Sequence, residues 1–229
     1  MFFKIKSVKI YIMNKVFIIR HAESQTNIGG IFEHKNIVKL TENGKKQAEK
    51  LSETLKKPNK IIVSKYIRTI ETAEPFIKKF PNSEVELWID VHEFDYINPA
   101  RHINITLKER EKMMAEYWQR KNPFYKESLD VESFVEFIER VNIVILKLKK
   151  LPPGINYIFS HGNFIRMLLL LLSEYNNFNS LKHDETFYEK IMQRYEIFLN
   201  DTSIDIYNTA IFDVTQKIKN YKNKTVHKQ

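Results

Sequence analysis

Val16-Phe17-Ile18-Ile19-Arg20-His21-Ala22-Glu23-Ser24 is a short run of large apolar residues that stops abruptly at an arginine and a histidine. A buried parallel strand reads this way, and open α/β sheets bind ligands beyond the carboxyl ends of such strands. Arg20 and His21 therefore fall where chemistry is done. The pattern returns at Tyr157-Ile158-Phe159-Ser160-His161-Gly162-Asn163, just ahead of a long helical pattern. Between the two, Ile61-Ile62-Val63-Ser64 leads into a helix that carries Arg68 near its first turn. Three strand-to-helix turns thus offer two imidazoles and two guanidinium groups to one edge of one sheet, a donor set suited to a phosphoryl group.

Working outward, the chain alternates strand and helix. Thr41 is placed to cap a helix running through Ala48, Leu51 and Leu55 until Pro58. A helix over about residues 65–80, a turn at Pro81-Asn82 and a strand over residues 84–89 follow, leading into Asp90-Val91-His92-Glu93-Phe94-Asp95-Tyr96. Residues 97–130, with Pro99, Pro123, many charges and Tyr117-Trp118, read as an insertion of short helices. A helix is predicted over residues 132–150, with Phe134, Phe137, Ile138, Val141, Ile145 and Leu148 on one face and Pro152-Pro153-Gly154 after it. The run Met167 to Leu172 is too short to span a bilayer, which takes roughly 20 apolar residues; it reads as a buried helix behind His161. The expectation is one catalytic domain with a core over about residues 15–216, an insertion over about 97–130 and a loosely ordered basic tail over 217–229. Residues 1–12 read as an extra strand or as an upstream translation start ahead of Met13.

The 229 residues contain no cysteine, which excludes disulfides, thiolate metal sites and a cysteine nucleophile. The opening Met1-Phe2-Phe3-Lys4-Ile5-Lys6 alternates lysine with apolar residues and lacks the unbroken apolar core of a signal peptide. A cytoplasmic protein is expected. The net charge of +9 reads as compositional bias toward lysine rather than as a nucleic-acid or membrane footprint. The expected partner is a small phosphorylated substrate, a phosphoprotein being a further option, and no cofactor is called for.

A phosphate monoester carries up to two negative charges, and fixed donors must hold them during transfer. Arg20 and Arg68 suit that work. A neutral imidazole can attack phosphorus and form a phosphohistidine, splitting one displacement into two. His21, beside Arg20 at the strand end, is the candidate nucleophile, and His161 the electrophilic partner, cationic once a phosphate dianion lies beside it. Glu93 is the candidate general acid, able afterwards to activate water. Glu23, Asp90 and Asp95 compete for that role, and Asp90, His92, Glu93 and Asp95 also admit a metal-ligand reading. His34, His92, His102 and His183 are taken as ordinary residues.

Arg20-His21-Ala22-Glu23-Ser24 with Asn27 resembles the RHG signature of the histidine phosphatase superfamily, the phosphoglycerate-mutase-like proteins. Leu40-Thr41 with Gly44, Gln47 and Ala48 resembles that family's next block. Ser64 through Ala73 resembles the block of its second phosphate-binding arginine, and Ser160-His161-Gly162 that of its second histidine. The blocks keep the family's order over about residues 15–170. The resemblance implies an α/β protein, a three-layer α/β/α sandwich around a mixed, mostly parallel sheet. It also implies metal-independent chemistry, a phosphohistidine at His21, and a phosphate pocket of Arg20, Arg68 and His161 with Asn27 as an extra donor. Ala22 departs from the family's glycine, and its methyl is expected to leave slightly less room beside the phosphate. The stretch from Glu93 to Arg101, with Tyr117-Trp118 and Glu132-Ser133-Phe134, looks like a bacterial phosphatase subgroup. Hydrolysis is favoured over mutase-type transfer, because no counterpart is found of the mutases' extended C-terminal segment or of the tryptophan after their signature. A phosphate-binding regulator without turnover is the third reading.

Overall fold

Along β1 (Asn14–Arg20), Val16 and Ile18 join one core layer while Phe17 and Ile19 join the other, the sorting a strand imposes when both its faces are covered. The same division separates Ile62 from Ile61 and Val63 in β2 (Lys60–Val63), and Ile158 from Tyr157 and Phe159 in β4 (Gly154–Ser160). These assignments come from a computed structural model that describes residues 14–29, 35–101, 103–173, 185–200 and 206–221. With β3 (Glu84–Leu87) and β5 (Ile211–Asp213), the strands form one sheet in the order β3-β2-β4-β1-β5. All neighbours are parallel except β5, which runs antiparallel to β1.

Helices α1 (Glu42–Thr54) and α2 (Ile67–Lys79) cover one face through Leu51, Leu55, Ala73 and Phe76. On the other face lie α4 (Phe134–Leu148), α5 (Gly162–Leu172), α6 (Glu185–Asn200) and α7 (Thr215–Asn220). The protein is therefore a three-layer α/β/α sandwich on a mixed, mostly parallel sheet. No helix among the described residues is long and apolar enough to cross a membrane.

Several boundaries differ from the sequence expectation, each for a local reason. The helix predicted from residue 132 begins at Phe134 because Ser133 caps it, trading hydrogen bonds with Glu136 in a capping box. Glu132 stays outside, where it accepts from Arg140. Among its described residues the insertion contains one 13-residue helix, α3 (Leu107–Gln119), capped by Thr106 and Glu109, and a 3₁₀ turn at Pro99–Arg101. The strand expected to reach residue 89 stops at Leu87, and Ile89–Val91 turns as a 3₁₀ helix. The tail expectation is corrected at its start, since residues 217–220 belong to α7 and Ile218 is buried. Residues 1–12 and 222–229 lie outside the described residues. Strand β5 and helix α6 had no counterpart in the sequence reading.

This topology positions the site. The chain leaves β1 and skips the place that β4 later fills, so the carboxyl ends of β1, β4 and β2 stand side by side. The register pairs Arg20 with Ser160 and Val63 with Phe159, which brings Arg20, Ser64 and Ser160 level.

Candidate active site

His21 is locked in one tautomer. Its backbone N–H donates to the Ser160 carbonyl at 3.0 Å, and its Nδ1 lies 2.7 Å from the Ala22 carbonyl, which can only accept. Nδ1 therefore carries the proton and Nε2 a lone pair, toward which Arg68 Nε donates at 3.2 Å. Burial first, then the Arg68 charge, push the imidazole well below its ordinary pKa. His21 is a neutral base at physiological pH.

His161 stands 5.2 Å away, ring centre to ring centre, at the residue that opens α5. Its Nε2 is 2.7 Å from Ser64 Oγ, which in turn is 3.0 Å from Thr69 Oγ1. The Thr69 hydroxyl donates to the Tyr66 carbonyl at 2.8 Å, so Ser64 donates to Thr69 and accepts from both His161 Nε2–H and the Tyr66 N–H. That chain leaves the lone pair on His161 Nδ1, a buried atom with no hydrogen-bond partner among the described residues. Burial, then Arg68 and His21, hold this imidazole well below its usual pKa too.

Both predicted arginines reach the same edge. Arg20 donates from Nη1 to the Ile206 carbonyl at 2.5 Å. Arg68 is 7% exposed; it donates from Nη1 to the Lys35 carbonyl at 2.9 Å and lies 4.7 Å above the Tyr66 ring. Burial lowers its pKa to about 10, which leaves it charged at neutral pH. One cleft is lined by Arg20, His21, Arg68 and Glu93, with His161 buried behind it.

Glu93 crosses to the start of α5, where its carboxylate accepts from the N–H groups of Asn163 at 3.2 Å and Phe164 at 3.1 Å, and from its neighbour Phe94 at 2.9 Å. Its competitors are engaged elsewhere. Glu23 binds Thr41 Oγ1 and Asn43 Nδ2, Asp90 pairs with Lys147, and Asp95 takes Tyr66 Oη, Lys35 Nζ and the His92 ring. Because these carboxylates turn to separate partners, the metal-ligand reading finds no shared centre among the described residues. His92, taken as ordinary, is a half-buried member of this network, its pKa driven down to about 3 by desolvation and then by Arg140. Asn27 lines the cleft, but its Oδ1 accepts from Ser24 N–H and Oγ, so any contact it makes with a phosphate must come from Nδ2. His34, His102 and His183 lie outside the described residues.

The second sequence block supports the signature loop rather than the substrate. Thr41 N–H donates to the Glu23 carbonyl, Gln47 Oε1 accepts from Glu23 N–H, and a Cβ on Gly44 would meet the Glu23 carbonyl oxygen at 1.9 Å. Only glycine fits there. Ala22 corrects the expectation of a crowded phosphate: its methyl is buried with Leu40 and Ala48, and Ala22 does not line the cleft. From the far end of the chain, Asn208 Nδ2 and Thr209 N–H donate to the His21 and Arg20 carbonyls, a clamp the sequence reading missed because nothing in Tyr207-Asn208-Thr209 beyond turn-forming residues marks it.

The reading also missed Tyr66, whose ring stands edge-on to His161 at 5.1 Å and whose hydroxyl reaches Asp95. It missed Arg110 of α3 and Arg166 of α5, which line the cleft. An arginine on a charged helix carries no signal of its own in sequence; only the packing of α3 over Phe94 and Tyr96, through Tyr117 and Trp118, brings Arg110 there.

Residues 16–195 match the sequence profile of the histidine phosphatase superfamily (branch 1). Phosphoglycerate mutase 1 of Saccharomyces cerevisiae is 28% identical over 123 residues, 52% of this chain and 48% of the mutase, so the match spans about half of that relative. Among solved structures, the phosphoserine phosphatase of Entamoeba histolytica in complex with 3-phosphoglyceric acid superposes with a TM-score of 0.60 at 19% identity, covering 87% of this chain and 89% of that one. The alpha-ribazole phosphatase of Shigella flexneri gives 0.57 at 21% identity over 69% and 79%. A mycobacterial glucosyl-3-phosphoglycerate phosphatase gives 0.60 at 16% over 86% and 87%. At these identities the structural likenesses speak for the fold, and the profile match across most of the chain identifies it as a member of the histidine phosphatase superfamily.

Proposed function

We propose that the protein is a phosphomonoester hydrolase that works through a phosphohistidine on His21 Nε2. The observation that carries this reading is the fixed tautomer of His21: Nδ1–H is spent on the Ala22 carbonyl, so the neutral ring presents a lone pair at Nε2 beside Arg68. Its depressed pKa keeps that lone pair available at neutral pH.

In the first half-reaction, Nε2 attacks phosphorus and the P–O bond to the alcohol breaks. Arg20 and Arg68 hold the non-bridging oxygens, and His161 Nδ1 takes up a proton as the dianion arrives, which turns its bare lone pair into a third donor. Glu93 gives a proton to the leaving alkoxide. In the second half-reaction the same carboxylate takes a proton from water, water attacks phosphorus, and the P–N bond breaks to restore His21 and release phosphate. The substrate is a small phosphorylated molecule, the class on which the named structural relatives act.

Trapping tests the reading. Wild-type protein quenched during turnover should carry an acid-labile, base-stable phosphoryl group, and His21→Ala should carry none while kcat falls by about 10⁴–10⁶, as on removal of other nucleophiles. Equal labelling in both proteins would move the nucleophile elsewhere. Transfer of the phosphoryl group to a second hydroxyl instead of water would mark a mutase, and absence of any turnover would leave a phosphate-binding regulator.

A further inference from the structure

Opposite Arg20 the sheet stops pairing residue for residue. The antiparallel register of β1 and β5 ends at Ile19 and Ile211. Beyond it, Arg20 N–H donates to the Ala210 carbonyl at 3.1 Å, while the Arg20 carbonyl accepts from Thr209 N–H at 3.1 Å. Two residues thus face one, which is a β-bulge, and its first residue, Thr209, has a left-handed backbone with φ of 62°. Glycine is the usual occupant of that place. Ala210 N–H also donates to the Tyr207 carbonyl at 3.1 Å, so Thr209 is the third residue of a tight turn in which φ at Asn208 is not positive. Such a turn again asks for glycine or asparagine where Thr209 stands. Of the three non-glycine residues with positive φ among the described residues, Asn104, Lys121 and Thr209, only the threonine is β-branched, the class least able to adopt this backbone. Strain of this kind persists where surrounding bonds over-determine it, and it gathers at functional sites.

The strained turn aims a half-buried side chain, Asn208. Its Nδ2 donates to the His21 carbonyl at 3.0 Å and lies 3.4 Å from Asn27 Oδ1. That oxygen already accepts from Ser24 N–H and Oγ, so Asn208 supplies a third donor and leaves Asn27 Nδ2 as the group that can serve the cleft. The Thr209 hydroxyl donates to the Asn208 carbonyl at 2.6 Å, which fixes the peptide between them. Residues 206–210 therefore grip the Arg20 backbone through both its N–H and its carbonyl, the Arg20 guanidinium through the Ile206 carbonyl, and His21 through Asn208. The His21 ring is tied by Nδ1 to the Ala22 carbonyl, so a shift of this stretch of backbone carries the ring with it. A misplacement of about 1 Å in reacting groups can cost about 100-fold in rate.

Resting on the phosphatase reading above, we propose that Asn208 is a positioning residue for the reaction, fixing the main chain at His21 and the amide of Asn27 together, and that the strained bulge at Thr209 holds it in place. The strain is tolerated because a relaxed turn would leave Asn208 free to swing away from both partners.

The test pairs p-nitrophenyl phosphate hydrolysis with thermal unfolding of the same preparations, kcat being counted per folded molecule. Asn208→Asp keeps the shape of the side chain without its donor, and Asn208→Ala removes the group. Both should lose about 10–100-fold in kcat while the unfolding midpoint stays within about 4 °C of wild type. Asn208→Ala should cost less in an Asn27→Ala background than in wild type, since part of its work is to aim Asn27. Thr209→Gly relieves the strain but frees the turn; its midpoint should hold or rise while kcat falls about 3–10-fold, an opposition that a merely structural turn would not give. Thr209→Asn, which accepts the left-handed backbone with less freedom than glycine, should recover most of that loss. Wild-type kcat in the Asn208 variants or in Thr209→Gly, or full additivity with Asn27→Ala, overturns the inference while leaving the phosphatase reading intact. No turnover by the wild-type protein brings down the phosphatase reading and the inference with it.

Discussion

The two ends of the cleft are built on different principles. The phosphate end is made of side chains just beyond parallel strands or in the first turn of the helix that follows, each fixed by a hydrogen bond: His21 to Ala22, His161 to Ser64, Arg68 to Lys35. The other end of the cleft is walled by α3 of the insertion, by the loop from Phe94 to Ile97 and by Thr26, Lys35 and Val38, with α3 held by aromatic packing of Tyr117 and Trp118 on Phe94 and Tyr96. Directional bonds fix geometry to fractions of an ångström, whereas aromatic packing tolerates change of shape and side chain. On the proposed function, the difference assigns the chemistry to one end and selectivity to the other, the alcohol end. Perturbing the phosphate end should lower kcat on every substrate, and perturbing the alcohol end should re-rank substrates.

Glu93 lies on the seam and gives the sharpest way to break this division. In the proposed mechanism it serves the alcohol end as proton donor and water at the phosphate end as base. Glu93→Gln should lose about 10²–10⁴ in kcat on alkyl phosphates, and far less on p-nitrophenyl phosphate, whose phenolate leaves without a proton. On the activated ester the variant should accumulate phosphohistidine, because the water step is slowed as well. An equal loss on both esters without accumulation would make Glu93 only the cap of α5.

A smaller effect is expected at Tyr66, which ties the two ends together. Its ring lies beneath Arg68 and edge-on to His161, while its hydroxyl reaches Asp95, two residues beyond Glu93. Asp95 also holds Lys35, whose carbonyl takes Arg68 Nη1, so Tyr66, Asp95, Lys35 and Arg68 close a ring. Tyr66→Phe keeps the ring's position and removes one hydrogen bond to a carboxylate; kcat should fall by about 10-fold with KM nearly unchanged. Tyr66→Leu also removes the face under Arg68 and should cost about another 3–10-fold. If Tyr66→Phe matches wild type on all esters, the ring packs but does not position.

How much of this was legible in sequence follows the same divide. The strand-end residues Arg20, His21, Ser64 and His161 announce themselves because an apolar run that stops at a polar residue is a local signal, and parallel strands put their ends together without further information. Glu93 could be singled out among four acids only by its placement after a strand, and the other three are told apart from it by partners distant in sequence: Thr41 for Glu23, Lys147 for Asp90, Tyr66 and Lys35 for Asp95. Arg110 was illegible, because on a charged helix its pattern is that of any solvated arginine. Strand β5 was illegible for another reason: at three residues, with Ile211 exposed, its periodicity is too short to read.

The smallest effect is expected at Ala22, and it tests whether the sequence pattern or the packing decides. A residue directly after His21, the proposed nucleophile, invites the expectation that its methyl crowds the phosphate. Yet the side chain points into a small cluster with Leu40 and Ala48, and its backbone N–H donates to Thr72 Oγ1 at 2.9 Å. Ala22 is fully buried and its φ is not positive, so glycine would bring no relief of strain, only a lost methyl and a freer unfolded chain. Ala22→Gly should therefore cost about 1 kcal/mol of stability, from roughly 0.8 kcal/mol per buried methylene-sized group and the added backbone entropy. Its kcat/KM should stay within about 3-fold of wild type on all esters. Denaturant unfolding and steady-state kinetics on the same preparation would decide it. A gain in activity of 10-fold or more would show that the methyl does narrow the phosphate end, and that the directional frame around His21 is looser than its hydrogen bonds imply.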